Sequence, residues 1–513
     1  MVKLNFERNL KLKDQNSANL SGPTGLKTPE EIIYPIVVED YKQDKDIIRW
    51  IKGDSLALNK NRWLNKLILG ENKSIMSQLL KDLKERIDLI YFDPPFFTHS
   101  NYYHKIFIGM QKKSVKSLAY QDRWENGLDS FLNFIYERIQ LMKDLLSNQG
   151  SIYVHLDYRV SHYIKLLMDE VFGRDNFRNE IIWHYPAASA RTKRFYVRSY
   201  DSILFYTKSD EYIFNDDPQI YMAYSSRVKD ALKKDEKGLY YYRGGSHDGI
   251  KLSQKVYVEK KGVFPPRDVW TNIPYIRANT PEYQGFSTQK PERLLKRIIL
   301  ASSNKDSIVA DFFSGSGTTI AVAEKLKRKW IGVDLNWHSV HTTKKRLLDI
   351  AQSNDLYNWE DSYNQLPRPF EVINFKKNKP DRHILRDFIS QNAQNKKNII
   401  ESGRGIKVKT NKKEDRIIVK VLNYENSFTN NLSKKLRKKI LDWKDWIDYI
   451  SVGIVQRDDI FIPIWYDYRT PKKREIKLEK SIYINNPLII SYNLYLKIVD
   501  ILGIETLKRI EIG

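Results

Sequence analysis

Ten residues, Ile87-Asp-Leu-Ile-Tyr-Phe-Asp-Pro-Pro-Phe96, carry the most specific chemistry in the chain. An apolar, β-prone run from Leu89 to Phe92 stops abruptly at Asp93-Pro94-Pro95-Phe96. Consecutive prolines fix φ, remove two backbone N–H donors and hold the preceding residue extended. The rim that remains presents acceptors only, the Asp93 carboxylate and the Pro94 carbonyl. A flat ring, Phe96, follows at once. Two aimed acceptors beside a stacking ring suit a planar group bearing an NH2, such as the exocyclic edge of a nucleobase.

A second group of residues lies further along. Asp306-Ser-Ile-Val-Ala-Asp-Phe-Phe313 reads as a buried strand and Ser314-Gly-Ser-Gly317 as a turn. Thr318 to Lys327 then reads as a helix, and Trp330-Ile-Gly-Val-Asp334 as a strand ending in an acid. Strand, glycine turn, helix and strand-end acid form the nucleoside-binding half of a doubly wound sheet, with the acid placed for ribose hydroxyls. The turn lacks the third glycine of G-x-G-x-x-G and has no Gly-Lys-Ser/Thr, which points away from NAD and ATP.

Both groups need strands with helices around them. Lys66-Leu-Ile-Leu-Gly70 reads as a strand ending in Gly70-Glu71-Asn72, and Ile75, Leu79, Leu80 and Leu83 follow at helical spacing. Phe131, Phe134, Ile135, Ile139, Met142 and Leu146 mark an amphipathic helix, with Asn148-Gln149-Gly150 as its cap. Ser151 to Asp157 is the next strand, followed to Trp183 by a helix, the Gly173 turn and a strand. His99 to Trp124 reads as a polar loop of the kind that closes over ligands. Thr288 is placed to cap a helix whose core stripe is Leu294, Leu295, Ile298 and Ile299. His155, Asp157 and His162 read as pocket or core groups, and no metal is expected.

Asp93-Pro94-Pro95-Phe96 resembles the (D/N/S)-P-P-(Y/F/W) motif of the amino-group DNA methyltransferases. Phe312-Phe-Ser-Gly-Ser-Gly317 resembles their F-x-G-x-G motif. The order of catalytic motif, insert and cofactor motif resembles the permuted β arrangement of type III modification subunits and related adenine methylases, over about residues 60–345. The resemblance implies S-adenosyl-L-methionine as cofactor. It implies a catalytic role for Asp93, Pro94, Pro95 and Phe96. It places Asp311, Phe313, Gly315, Gly317 and Thr318 around the methionine part, Asp334 on the ribose, and Glu71 with Asn72 near the adenine. Thr288, Gln289 and Lys290 form the motif that caps the cofactor from the other side. Asp at the first motif position is the usual form for N6-adenine enzymes, and Ser for N4-cytosine enzymes. Most relatives have Tyr where this chain has Phe96, and Asp where it has Glu71.

Composition bounds the rest. A chain of 513 residues implies two or three domains. Lys plus Arg is 87 against 63 Asp plus Glu, and the surplus of +24 suggests a polyanionic partner. Cysteine is absent, which excludes disulfides and a thiolate nucleophile. Methylation of cytosine C5 needs such a thiolate, so only direct transfer to nitrogen stays open. No run of about 18 apolar residues and no N-terminal signal core is visible, so a cytoplasmic protein without a membrane span is expected.

The expected fold class is α/β: a doubly wound, mostly parallel sheet of the S-adenosylmethionine-dependent methyltransferase type. It carries an inserted target-recognition region and a small α+β C-terminal domain. The expected domains are an arm at 1–42, the catalytic half at 43–184, the insert at 185–286, the cofactor half at 287–350 and a basic domain at 351–513. Within the insert, Arg191, Lys193, Arg194 and Arg198 interleave with rings and are the expected DNA contacts. The expected activity is site-specific transfer of methyl to adenine N6 of a flipped-out base, in the modification component of a restriction or phage-defence system. N4-cytosine or RNA-adenine methylation, or a non-catalytic DNA-binding subunit, are the alternatives. Double-stranded DNA is the expected partner, with a restriction subunit and a second copy of the chain as candidates.

Overall fold

The run Leu89-Ile90-Tyr91-Phe92 is buried along its whole length, as a strand inside a parallel sheet must be. The computed structural model describes residues 36–41, 63–110, 113–186, 194–247, 250–258, 266–375, 400–402, 405–426, 434–455, 460–483 and 493–511. In it, Ile87–Phe92 lies between Leu146–Leu156 and Ile308–Asp311, parallel to both. Beyond Ile308–Asp311 come Lys329–Asp334, Asn65–Leu69 and Phe370–Asn374, all parallel. On the other side Tyr200–Thr207 runs antiparallel to Leu146–Leu156, and Phe177–His184 antiparallel to Tyr200–Thr207. This is the expected doubly wound, mostly parallel sheet.

Alternation along the strands supplies two cores. Leu89, Tyr91, Tyr153 and Val309 face one layer, with Leu294, Leu295, Ile298 and Ile320 from helices Glu292–Ser302 and Thr318–Lys325. Ile90, Phe92, Ile152 and Ala310 face the other. There they meet Ile75, Phe131, Ile135, Met142 and Ile164 from helices Asn72–Leu83, Gly127–Leu145 and Ser161–Phe172. A period of two sends neighbours to opposite faces, so one buried strand serves both helix layers.

Several expected boundaries move. Tyr200–Thr207, placed in the insert, is a strand of the catalytic sheet, because its apolar run Ile203 to Tyr206 is fully buried there. Phe370–Asn374, placed beyond residue 350, pairs with Asn65–Leu69. Ile36–Tyr41, placed in the arm, is a strand that pairs with Phe370–Asn374 and touches Phe461. Through it the sheet continues into Phe461–Tyr468, Ile447–Val455, Leu494–Asp500 and Glu505–Arg509. The C-terminal strands therefore extend the catalytic sheet. They also share a separate core with Ile406–Lys413, Arg416–Tyr424 and Glu479–Tyr483.

The expected polar loop after Phe97 is a β-hairpin, Asn101–Ile108 with Lys113–Gln121. Alternation explains it: Ile106, Ile108 and Val115 are buried in the C-terminal core. Arg474 donates to the carbonyls of Ile108 and Lys113 at 3.3 and 3.2 Å, pinning the hairpin tip. The helix expected to reach Asn148 stops at Leu145, and the strand starts at Leu146. The helix expected to be capped by Thr288 starts at Glu292 after Pro291, whose extended ψ of 143° and missing N–H fix the start there.

At the junction between the cofactor half and the C-terminal strands, Glu39 accepts from Lys344 Nζ at 2.9 Å and from Lys497 Nζ at 2.5 Å, and all three are buried. Burial alone would raise the Glu39 pKa, but the two lysines hold it well below the usual carboxylate range. Glu39→Gln leaves buried Lys344 without its paired carboxylate and Lys497 with Glu505 alone. It is expected to lower stability by about 3–5 kcal/mol, read as a fall in the urea midpoint at neutral pH. An unchanged midpoint would show that the three groups do not act together.

Candidate active site

Each motif sits where a strand of the parallel block reaches its carboxyl end. Asp93 follows Phe92, Asp311 ends Ile308–Asp311, Asp334 ends Lys329–Asp334, and Glu71 follows the Asn65–Leu69 strand. Because these four strands are neighbours and parallel, their ends converge on one edge. The Asp93 motif and the glycine turn therefore meet at one edge of the sheet, although they lie far apart in the sequence.

Pro94 is buried, while Asp93, Pro95 and Phe96 are half-buried at the rim. The turn that follows is strained, with Phe97 and His99 both at φ 56°. Asp122 holds this turn in place. Its carboxylate accepts from Thr98 N and Oγ1 at 2.7 and 2.8 Å, and from Trp124 Nε1 at 2.8 Å. Lys290 Nζ donates to Asp93 Oδ2 at 2.6 Å and lies 5.3 Å from the centre of the Phe96 ring. One ammonium thus lies against both the carboxylate and the ring.

The cofactor side is built on the glycine turn. Gly315 N donates to Asp334 Oδ2 at 2.8 Å, and Asn336 N to Asp334 Oδ1 at 2.8 Å. Asp311 accepts from Thr319 Oγ1 at 2.6 Å and from Phe313 N at 3.0 Å. Gly317 has φ 73°, and a Cβ there would meet Thr343 at 2.5 Å, so only glycine fits the close approach of turn and helix. Thr318 Oγ1 donates to the Lys290 carbonyl at 3.1 Å, which ties the 288–290 segment to the turn. Phe313 packs 5.4 Å from Phe92, joining the two motifs through their rings.

Burial pushes Asp311 up to about 7, with the charges of Asp93 and Asp334 adding to it. Burial likewise pushes Asp334 up to about 6. Tyr120, on the second hairpin strand, is raised well above the usual phenol value by burial and then by Asp93, with Asp122 and Asp334 also contributing. Asn336 Nδ2 donates to the Ala119 carbonyl at 2.8 Å. The second hairpin strand is therefore tied beside both strand ends, through Ala119 to Asn336 and through Asp122 to Thr98.

Other expected site residues have structural work. Glu71 caps helix Asn72–Leu83, accepting from Lys73 N and Ser74 N, and pairs with Arg138 at 2.6 Å. Burial would raise its pKa, but these bonds and the arginine bring it below the usual value. Asn72 donates to the Phe312 carbonyl at 3.1 Å and accepts from Arg138 Nε at 2.7 Å. Gln289 accepts from Gln284 N and donates to the Glu282 carbonyl, both at 2.7 Å, so it holds the end of the insert. Thr288 lies in a turn beside it. Arg194 and Arg198 are exposed, and the Arg198 guanidinium lies 4.0 Å from the centre of the Tyr158 ring. Arg191 and Lys193 lie outside the described residues. His162 is exposed and apart from buried His155, and no cluster among the described residues has the make-up of a metal site.

A family profile described as DNA methylase matches residues 87–345. The chain belongs to the DNA methylase family. DNA adenine methyltransferase YhdJ of Escherichia coli K12 is 31% identical over 277 residues, 54% of this chain and 81% of that protein. Type II methyltransferase M.EcaI of Enterobacter cloacae is 28% identical over 324 residues, 55% of this chain and 69% of that protein. The Mod subunit of the type III restriction-modification enzyme StyLTI of Salmonella typhimurium is 24% identical over 343 residues, 53% and 51% of the two chains. A solved M1.HpyAVI–SAM complex aligns over 55% of this chain and 98% of that one, at 17% identity and TM-score 0.31.

The methyl donor of this family is S-adenosyl-L-methionine. The residues of the methylase fit it. Gly315 has φ 51° with open space above it, since a Cβ there would meet only the Phe313 carbonyl at 3.8 Å. Ser314 Oγ beside it is buried and has no hydrogen-bond partner. Asp334 and Asp311 place two carboxylates beside this turn. No described helix is long and apolar enough to cross a membrane.

The raised carboxyls make binding pH-dependent. Their folded pKa values exceed the ordinary carboxylate value, so the folded protein takes up protons as pH falls through about 7 to 4, and this contribution to stability is lost as pH rises. A cationic cofactor favours the ionised forms instead. Cofactor affinity is expected to tighten from about pH 6 to about pH 8, with proton release at the lower pH seen by calorimetry in two buffers. Equal affinity at both ends with no proton release would contradict this.

Proposed function

We propose that the methylase transfers methyl to N6 of adenine in double-stranded DNA, taking the target base extruded into the shared cleft. What carries this reading is the Lys290 ammonium, held on Asp93 and over Phe96 where the base amine is to sit. The carboxylate at the first motif position supports adenine over cytosine. Extrusion costs a few kcal/mol, which contacts in the cleft repay. Phe96 stacks on the purine. Asp93 and the Pro94 carbonyl accept the two N6 hydrogens and draw the nitrogen toward a tetrahedral, nucleophilic form.

The bound cofactor supplies an electrophilic methyl group on sulfur. The chain's own part is to orient the amine, strip water from it and offer Asp93 as the nearest acceptor for the departing proton. Positioning and electrostatics thus do most of the work. The net charge of +24, exposed Arg194, and exposed Arg198 over Tyr158 just past the Leu146–Leu156 strand suit the phosphate backbone. A restriction subunit is the proposed protein partner, on the pattern of the type III Mod relatives, and a second copy of the chain is a further candidate. Modification in restriction or phage defence is the proposed setting.

Asp93→Ala is expected to abolish transfer of labelled methyl to DNA while cofactor binding by calorimetry is retained. Nucleoside mass spectrometry on wild-type reactions is expected to show N6-methyladenine from DNA. N4-methylcytosine, or methyladenine from RNA alone, would redirect the reading. Full turnover by Asp93→Ala would remove Asp93 from the chemistry.

A further inference from the structure

Behind Phe96 runs a string of hydrogen bonds that neither motif includes. The Tyr91 hydroxyl meets His155 Nδ1 at 2.8 Å, and His155 Nε2 meets Asp201 Oδ2 at 3.0 Å. The Tyr185 hydroxyl donates to Asp201 Oδ1 at 2.9 Å. Tyr91 and His155 are buried, at 2% and 0% exposure, while Asp201 and Tyr185 are half-buried. The His155 ring lies nearly parallel to Phe96, with an interplanar angle of 10° and centres 6.2 Å apart. Trp183 meets His155 edge-on at 5.6 Å and 78°.

A carboxylate only accepts, so Nε2–H of His155 donates to Asp201. In the neutral ring Nδ1 then accepts from the Tyr91 hydroxyl. Burial alone would raise Asp201, but His155, Lys290 and Tyr185 together bring it below the usual carboxylate value. Every donor in the string has one acceptor, and the imidazole cannot turn without breaking two bonds.

We propose that His155, oriented by Asp201, is a positioning residue for methyl transfer, because it sets the plane of Phe96 and through it the pitch of the stacked base. The inference rests on the base-stacking role of Phe96 proposed above. Lys290, which pairs with Asp93, also contributes to lowering Asp201. A tilt of the ring moves the amine relative to the methyl group, and misplacement of about 1 Å can cost about 100-fold in rate.

Asp201→Asn keeps the shape and removes the charge. It is expected to lower kcat for DNA methylation about 10- to 100-fold, with cofactor affinity and Tm close to wild type. In DNA with 2-aminopurine at the target position, the flipped base is expected to fluoresce more strongly, because its stacking on Phe96 is loosened. Should Asp201→Asn not fold, Tyr185→Phe decides the matter, since it removes one hydroxyl from a half-buried ring. A several-fold loss of kcat with unchanged KM for cofactor supports the proposal. Wild-type kcat in the folded variant would overturn it, as would an equal fall in kcat, cofactor affinity and Tm. A wild-type enzyme that makes no N6-methyladenine is a separate result, and it counts against the functional reading.

Discussion

Two parallel strands, Ile87–Phe92 and Ile308–Asp311, hydrogen-bond side by side through Leu89, Ile90, Val309 and Ala310. The rest of the cleft depends on that pairing. It brings a proline-stiffened acceptor shelf next to a glycine turn, and it turns both toward the same edge of the sheet. Neither half could do the chemistry alone. The shelf has acceptors and a ring, while the turn has an open Gly315 and the carboxylates of Asp311 and Asp334 beside it. Ion pairing completes the join: Lys290, anchored to the turn through Thr318, reaches across to Asp93.

The C-terminal region belongs to this arrangement. Its strands extend the catalytic sheet, and its core takes in Ile106, Ile108 and Val115 from the hairpin that follows the catalytic turn. Arg474 holds the hairpin tip, and Asp122 holds the hairpin base to the turn. Between these two fixed points, Tyr120 lies in the field of both Asp93 and Asp334. A region that reads in sequence as an added basic domain thus holds the hairpin beside the catalytic turn.

What the sequence revealed and what it hid follow from range. Asp93 to Phe96 and the Gly315–Gly317 turn were legible because prolines and glycines act on the backbone locally. The two-layer core was legible because its alternation is periodic. Contacts between distant residues were not. Nothing near Lys290 names Asp93 as its partner, and nothing near His155 names Tyr91 or Asp201. The position of Glu71 suggests a ligand contact but does not show that it also caps the next helix and pairs with Arg138. The hairpin is hidden in the sequence because Tyr102, Tyr103 and the lysines mask an alternation whose buried members, Ile106, Ile108 and Val115, meet only in the C-terminal core. Domain borders moved for a similar reason, since Ile36–Tyr41, Tyr200–Thr207 and Phe370–Asn374 become strands only through long-range pairing.

The most direct test of a shared cleft is a crystal structure of the protein with substrate DNA and a non-reactive cofactor analogue. The target amine should lie between the Asp93 carboxylate and the Pro94 carbonyl, its ring on Phe96, with Lys290 withdrawn from Asp93 and the analogue on the Gly315 turn. A complex in which Lys290 still pairs with Asp93 and no base enters beside the glycine turn would contradict it.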